Sequence, residues 1–458
     1  IEITAPKKIN LSYSFYSGLI YYKTSHPVIK IQNDTTIFNF TENSIAEYVN
    51  DEENCPDDTL LYPSININFN TTFQNIAANY YERYFTKNLD EKTVNKLNEI
   101  IKDKKDNLEK VVSIYNYINR QIKLAGINLN ENVYSPNETS RIIEASALNN
   151  LDKNYLFTKM VNYIGINAKM LFYKRNNKNG IIDKTPSLKQ FDDVVTVVSV
   201  QNQDFIASFE DENYSFGQCD FDLINAECID VSSKKSNTEN IKNVNSKENQ
   251  IITSYICKIY DDDSLEMEKT TAVKGIYQTD FRGKRFLSNE ELSKWIKNRA
   301  SNFGNDTSVI KYKFINNLNN FNEDVVLYEN FLVKDYAISS GKNIKIFHLP
   351  GFNYSASKVN KNDRKFPFDL ESISKNILNY EIIIPDSYKV KYIPKSEEFT
   401  NEYFTFKYNS NIIDNKILIS IDLEYNKRVV PNNLYLELKK YMESLAKLSN
   451  EWFIFEKQ

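Results

Sequence analysis

From Asp90 to Gly165 the apolar residues recur at helical spacing, and on both sides of that stretch they alternate with polar ones. A chain in this order cannot fold as one uniform layer. Helices with one apolar face and strands with one buried face must each find a partner, and helices followed by a run of strands give an α+β arrangement. Before the switch, Ile9-Asn10-Leu11-Ser12-Tyr13-Ser14-Phe15 and Ser64-Ile65-Asn66-Ile67-Asn68-Phe69 have the period of half-buried strands. Residues 1–85 therefore read as an N-terminal β-rich domain, interrupted by an acidic, turn-like stretch from Asp51 to Asp58.

The helical stretch resolves into separate helices by its caps. Asp90 precedes a helix carrying Val94, Leu97 and Ile101, and Asp106 with Glu109 opens a second that runs through Val111, Tyr115 and Ile118 to Ile122. Ser135-Pro136-Asn137-Glu138 predicts a third, with Ile142, Ile143 and Leu148 on its apolar face. A fourth carries Leu156, Phe157, Met160, Val161 and Ile164 and stops at Gly165. Strands are predicted over 168–173, 194–200 and 205–209, so 86–235 read as a second domain. Residues 236–250 are nearly free of apolar side chains and read as a linker. From Ile251 to Gln458 strands return, with two helices among them: one opened by the capping box Ser288-Asn289-Glu290-Glu291, the other from about 433 to 448. The 31 Tyr and 28 Phe suit the cores of these β-rich parts.

Charge and composition exclude several classes. The 57 basic and 61 acidic residues nearly cancel, which argues against a nucleic-acid binder. No apolar run approaches the roughly 18 residues that span a bilayer, and the chain opens at Ile1, consistent with removal of an upstream segment. Of the four cysteines, Cys219 and Cys228 are close enough in sequence to bridge a loop in an oxidising compartment; alternatively Cys55, Cys219, Cys228 and Cys257 are all free. There is no C-x-x-C, and His26 and His348 are far apart in sequence, so no metal site and no cofactor is expected.

The order of helix, Ser-Pro-initiated helix, helix ending Ile164-Gly165-Ile166-Asn167-Ala168, then strands resembles the transglutaminase-like superfamily. More narrowly it is similar to a bacterial exported group in which that papain-like core lies between two β-sandwich-like domains. The group reads Gly-Asp-Cys-x-Asp where the core helix begins; here the run is Leu148-Asn149-Asn150-Leu151-Asp152, with Asn150 at the cysteine position. Its histidine opens the next strand, and Phe191-Asp192-Asp193-Val194 puts Asp193 there. Its aspartate ends the following strand, and Ile206-Ala207-Ser208-Phe209 puts Ser208 there. Tyr214-Ser215-Phe216-Gly217, Gly275, Phe281-Arg282 and the closing Trp452-Phe453-Ile454-Phe455 extend the resemblance over nearly the whole chain.

The resemblance implies an exported protein of the periplasm or cell surface whose triad is replaced. Cysteine chemistry needs a thiolate, an imidazole to activate it and a carboxylate to orient the imidazole. An asparagine amide has no ionisable group to act as that nucleophile. A pseudoenzyme is therefore expected, binding a peptide, protein or glycan partner in a vestigial cleft lined by Asn149, Asn150, Asp152, Asp192 and Asp193.

Each residue also has a purely structural reading. Asn149 or Asn150 is a good N-cap, Asp152 suits a first helical turn, and Asp192-Asp193 suits a solvated turn. Glu210, Asp211 and Glu212, like Asp220, Asp222 and Asp261-Asp262-Asp263, lack the spacing of a calcium loop and read as solvated faces. Two rivals remain. A hydrolase using Asp152, Asp192 or Asp193 needs two carboxylates facing one cavity, one with a raised pKa. A structural assembly module instead needs an apolar patch or an unpaired strand edge.

Overall fold

The computed structural model describes residues 1–9, 11–16, 26–41, 51–56, 61, 64–69, 71–126, 134–175, 185–236, 238–241 and 248–458. The expected strand residue Asn10, the end of the acidic stretch at Asp57 and Asp58, and 237 and 242–247 of the expected linker lie outside them. The chain is α+β and divides into two compact units. One comprises Ile1–Asp51 and Pro56–Asn243; the other comprises Glu52–Cys55 and Val244–Gln458.

In the first unit the N-terminal strands form two small antiparallel sheets. Glu2–Pro6 and Val28–Gln32 flank Thr35–Asn39, and Leu11–Tyr16 pairs with Ser64–Phe69. They close over a small cluster of Leu11, Phe38 and Phe40. Residues after 70, expected to continue in strands, instead form the helix Phe73–Tyr84. Thr72 caps it by accepting from Asn75 N, and Phe73, Ala77 and Tyr80 recur at helical spacing to join the main core of the unit. The expected boundary at 85 thus falls just past a helix that shares its core with the helices and sheet after it.

That core lies between helices and a five-stranded antiparallel sheet, ordered Gln203–Ala207, Asp193–Val200, Asn167–Lys174, Glu227–Asp230, Thr238–Asn240. The last of these strands comes from the expected linker, and Ile241 beside it is buried. Helix Glu91–Ile101 is capped by Asp90, and Asn107–Asn116 by Asp106. The second does not continue as an α-helix to Ile122; it opens into a π-helical turn, Tyr117–Gln121. The helix expected from Ser135 shrinks to one turn, Thr139–Ile142, because Asn137 gives both its backbone N–H and its side-chain amide to Asp152.

The central helix, Asn150–Tyr163, packs on the strands Asn167–Lys174 and Asp193–Val200. Every residue from Asn150 to Val161 is buried, including Asn150, Asp152, Lys153, Asn154, Thr158 and Lys159. Burying polar groups is tolerable only when each finds a partner. Thr158 bonds Thr196, Asn154 donates to Val194 O and Asn150 O, and Lys159 reaches the carbonyls of Phe85 and Lys87. Gly165, at φ +79°, makes the left-handed turn that ends the helix.

The second unit is β-rich. Its eight-stranded sheet is antiparallel except where Gln250–Ile259 runs parallel to Ser374–Ile383. A four-stranded sheet is built from Ile338–Ser340, Ile344–Phe347, Phe453–Lys457 and Tyr388–Tyr392. Both sheets contribute to one core with the helices Asn289–Ala300 and Tyr435–Ser449. Ser288 and Glu291 form the capping box of the first. Buried Arg282 holds the loop from Leu318 to Glu323 by donating to the carbonyls of Leu318, Asn320 and Glu323. The short segment Glu52–Cys55 belongs here: Glu52 accepts from the backbone of Lys365 and Phe366, and Asn54 O accepts from Asp369 N.

The disulfide candidate is not formed. Cys219 and Cys228 are thiols rather than a disulfide, as are Cys55 and Cys257. Cys228 sits inside the strand Glu227–Asp230 and donates its thiol to Glu239 O, an orientation fixed by its place in the sheet. Among the described residues no group of three or more His, Cys, Asp or Glu side chains is placed to hold a metal ion, and no helix is long and apolar enough to cross a membrane.

Candidate functional site

The strand register and the start of the central helix meet at one point. Asn149 is the N-cap, its side chain accepting from Asp152 N at 2.7 Å. This leaves Asn150 as the first residue of the helix, facing the first residue of the strand Asp193–Val200. Asn150 Nδ2 donates to Asp193 Oδ1 at 2.7 Å and to Val194 O at 3.0 Å, while Asn150 Oδ1 accepts from Asn154 Nδ2 at 2.9 Å. Both side chains are buried.

Ser208 does not join them by any hydrogen bond of its side chain among the described residues; its backbone carbonyl accepts from Tyr115 OH at 2.8 Å. The hairpin explains why. Gln201 and Asn202 both have positive φ, 53° and 62°, so a two-residue turn connects the strands and fixes their register, with Ala207 opposite Thr196. Continued by three residues, that register brings Glu210 level with Asp193. Glu210 is mostly buried rather than solvated. Arg175 Nη2 donates to Glu210 Oε1 at 2.9 Å and to Asp193 Oδ2 at 3.4 Å, and Tyr173 OH donates to Glu210 Oε1 at 2.8 Å. Asp222 completes the group with an ion pair to Arg175 Nη1 at 3.6 Å.

Desolvation, then the neighbouring Asp193 charge, pushes the Glu210 carboxyl up to about 6, with Arg175 and Tyr173 pulling the other way. One turn along the central helix from Asn150, Lys153 is wholly buried and donates to Asn119 O in the π-helical turn at 3.3 Å. Burial lowers its ammonium pKa to about 8, with Glu212 acting in the opposite direction.

At the level of whole structures, this chain is similar over 99% of its length to a crystal structure from Parabacteroides distasonis ATCC 8503 named as a "putative protease". The likeness covers 71% of that chain at a TM-score of 0.66 and 12% identity. It is a likeness of fold. A family model described as a domain of unknown function with solved structure, DUF3858, matches residues 344–455, in the second unit. No curated protein matches the sequence.

The other expected cleft residues have different tasks. Both Asp152 oxygens accept from Asn137, at 2.8 and 2.7 Å, which ties the preceding loop to the helix. Asp192 Oδ2 accepts from Arg175 N at 2.9 Å, so it shapes the strand end that carries Arg175. Of the two histidines, His26 packs edge-on against Phe15, and His348 bonds Glu451 O and packs on Trp452 in the second unit. Sequence reasoning missed Tyr173, Arg175 and Lys153 and took Glu210 for a solvated face. The Gln201-Asn202 turn and the register it sets up to Ala207 lead the chain back toward Asp193, a signal that was available.

Proposed function

We propose that this chain is a transglutaminase-like protein that has lost cysteine catalysis and uses the former active-site cleft to bind a peptide or protein segment. The observation that carries the reading is the 2.7 Å hydrogen bond between Asn150 and Asp193 at the start of the buried central helix. A nucleophile and its base would stand in these relative positions. Here an amide that cannot ionise donates to a carboxylate, and the further partners Val194 O, Asn154 and Arg175 make the arrangement a satisfied network rather than a reactive pair. The fold likeness to a structure named as a protease supports descent from a hydrolytic scaffold, and the resemblance implies export.

The carboxylate-hydrolase reading draws on Glu210, whose carboxyl is raised beside Asp193. It is the weaker one, because both carboxylates already accept hydrogen bonds from within the chain, Asp193 from Asn150 and Arg175 and Glu210 from Arg175 and Tyr173. The discriminating experiment incubates the protein with a tryptic digest of casein and follows it by gel filtration and mass spectrometry. Some peptides should co-elute with the protein and none should be cleaved, and Arg175→Gln should abolish the retention. Cleavage that Glu210→Gln removes would establish the hydrolase instead. Retention that Arg175→Gln leaves unchanged would move binding away from this site.

A further inference from the structure

A second site lies wholly within the β-rich unit. A cavity of about 250 Å³ opens between the C-terminal helix, the strand Lys416–Tyr425 and two loops. Its body is apolar and aromatic: Met442 and Leu445, three residues apart on one helix face, with Phe368, Tyr354 and Tyr425. Its mouth carries one charge of each sign, Lys358 and Glu371. Both are exposed, and among the described residues no carboxylate pairs with Lys358.

The walls are fixed in advance. Tyr354 is tied to the end of the helix in both directions, its N–H donating to Ser449 Oγ and its carbonyl accepting from Ser449 Oγ. The segment carrying Phe368 and Glu371 is clamped by Arg428, which donates twice to the Asp369 carboxylate at 2.8 and 3.1 Å, and by Asn54 of the Glu52–Cys55 segment, whose amide donates to Asp369 O at 3.2 Å and to Glu371 Oε1 at 3.5 Å. Glu371 itself is held at φ 64°, a left-handed conformation uncommon for a residue with a long side chain. Sites that bind small molecules combine such a preformed apolar body with a few placed polar groups.

We infer that this cavity binds a small zwitterion with an apolar body, in the manner of a free α-amino acid with a large side chain. The ammonium of Lys358 takes the carboxylate, the carboxylate of Glu371 takes the amine, and the side chain enters among Phe368, Tyr354, Tyr425 and Met442. The volume admits one such molecule and falls below the roughly 300–1,000 Å³ of sites for drug-sized ligands.

Titration calorimetry of the whole chain with L-phenylalanine, 3-phenylpropionate and phenethylamine tests this. Phenylalanine should bind at least tenfold more tightly than either one-charge analogue. Lys358→Met should weaken phenylalanine about tenfold and leave phenethylamine unchanged, Glu371→Gln should spare phenylpropionate, and Met442→Trp, which fills the cavity, should abolish binding of all three. Absence of heat with millimolar phenylalanine overturns the inference. So does equal affinity for the three compounds, or binding that survives Met442→Trp.

Discussion

The Asn150→Asp variant will be less stable than the parent by about 2–4 kcal/mol at neutral pH, although it changes one atom type and no volume. Asn150 is a donor on the side that matters: its Nδ2 serves Asp193 Oδ1 and Val194 O. A carboxylate there removes both donations, faces a carbonyl with a negative oxygen, and sets two charges in contact where burial magnifies their repulsion. In the folded variant one of the two carboxyls must hold a proton at a pH well above its unfolded value. The penalty is fully present above that raised pKa and fades as pH falls through it, because the folded state then binds the proton that relieves the repulsion. Urea unfolding of parent and variant at pH 8 and pH 5 measures this, and the difference should shrink in acid. A variant as stable as the parent at pH 8 would show that the Asn150–Asp193 contact has no structural weight.

Removing Glu329 will cost the second unit more, about 3–5 kcal/mol for Glu329→Ala. Glu329 is fully buried on the strand Val325–Val333. Lys269, directly across on the neighbouring strand, donates to it at 3.0 Å, and Arg299 from the helix Asn289–Ala300 donates at 2.7 and 2.8 Å. Burial alone would raise the Glu329 carboxyl, but Arg299 and Lys269 outweigh it and hold its pKa below the ordinary value. Its loss leaves two cations with no counter-charge inside the sheet–helix interface. Burial already lowers the pKa of the Lys269 amine, and losing the Glu329 carboxylate beside it pushes that pKa further down. Replacing the whole group, Glu329→Met with Lys269→Met and Arg299→Met, should recover much of the loss, since well-packed apolar side chains then stand in for all three buried charges at little cost. Denaturant midpoints of the single and triple variants check it.

How far the sequence disclosed this molecule depended on whether a signal was local. Helix starts at Asp90, Asp106, Asn149 and Ser288 were legible because a capping side chain bonds its own backbone three residues on. The Ser135-Pro136 start was misleading for a non-local reason: Asn137 is taken by Asp152, fifteen residues away. The helix at Phe73–Tyr84 was missed although Thr72, Phe73, Ala77 and Tyr80 carry a cap and a helical period. The buried polar spine of the central helix could not be read, because Asn154, Thr158 and Lys153 are tolerated inside only by partners on Thr196 and Asn119 that sequence does not place nearby. At the site itself, the position of Asp193 came from family resemblance. That Glu210 lies beside Asp193 could have been anticipated from the hairpin, whose paired register ends at Ala207 opposite Thr196.

The most direct test of the central claim, that Asn150 and Asp193 occupy the places of a lost nucleophile and its base, is to put the chemistry back. In the double variant Asn150→Cys, Asp193→His, the new thiol begins a helix beside an imidazole that Glu210 can orient. Those surroundings lower a thiol from about 8.5 to roughly 3.5–7.5. The measurement is the pH profile of iodoacetamide alkylation at that position, located by peptide mapping with the parent's four cysteines as the blank, in a variant whose circular dichroism matches the parent. Half-maximal alkylation is expected below about pH 7.5. Alkylation that rises only near the pKa of a free thiol, or none at all, would contradict it.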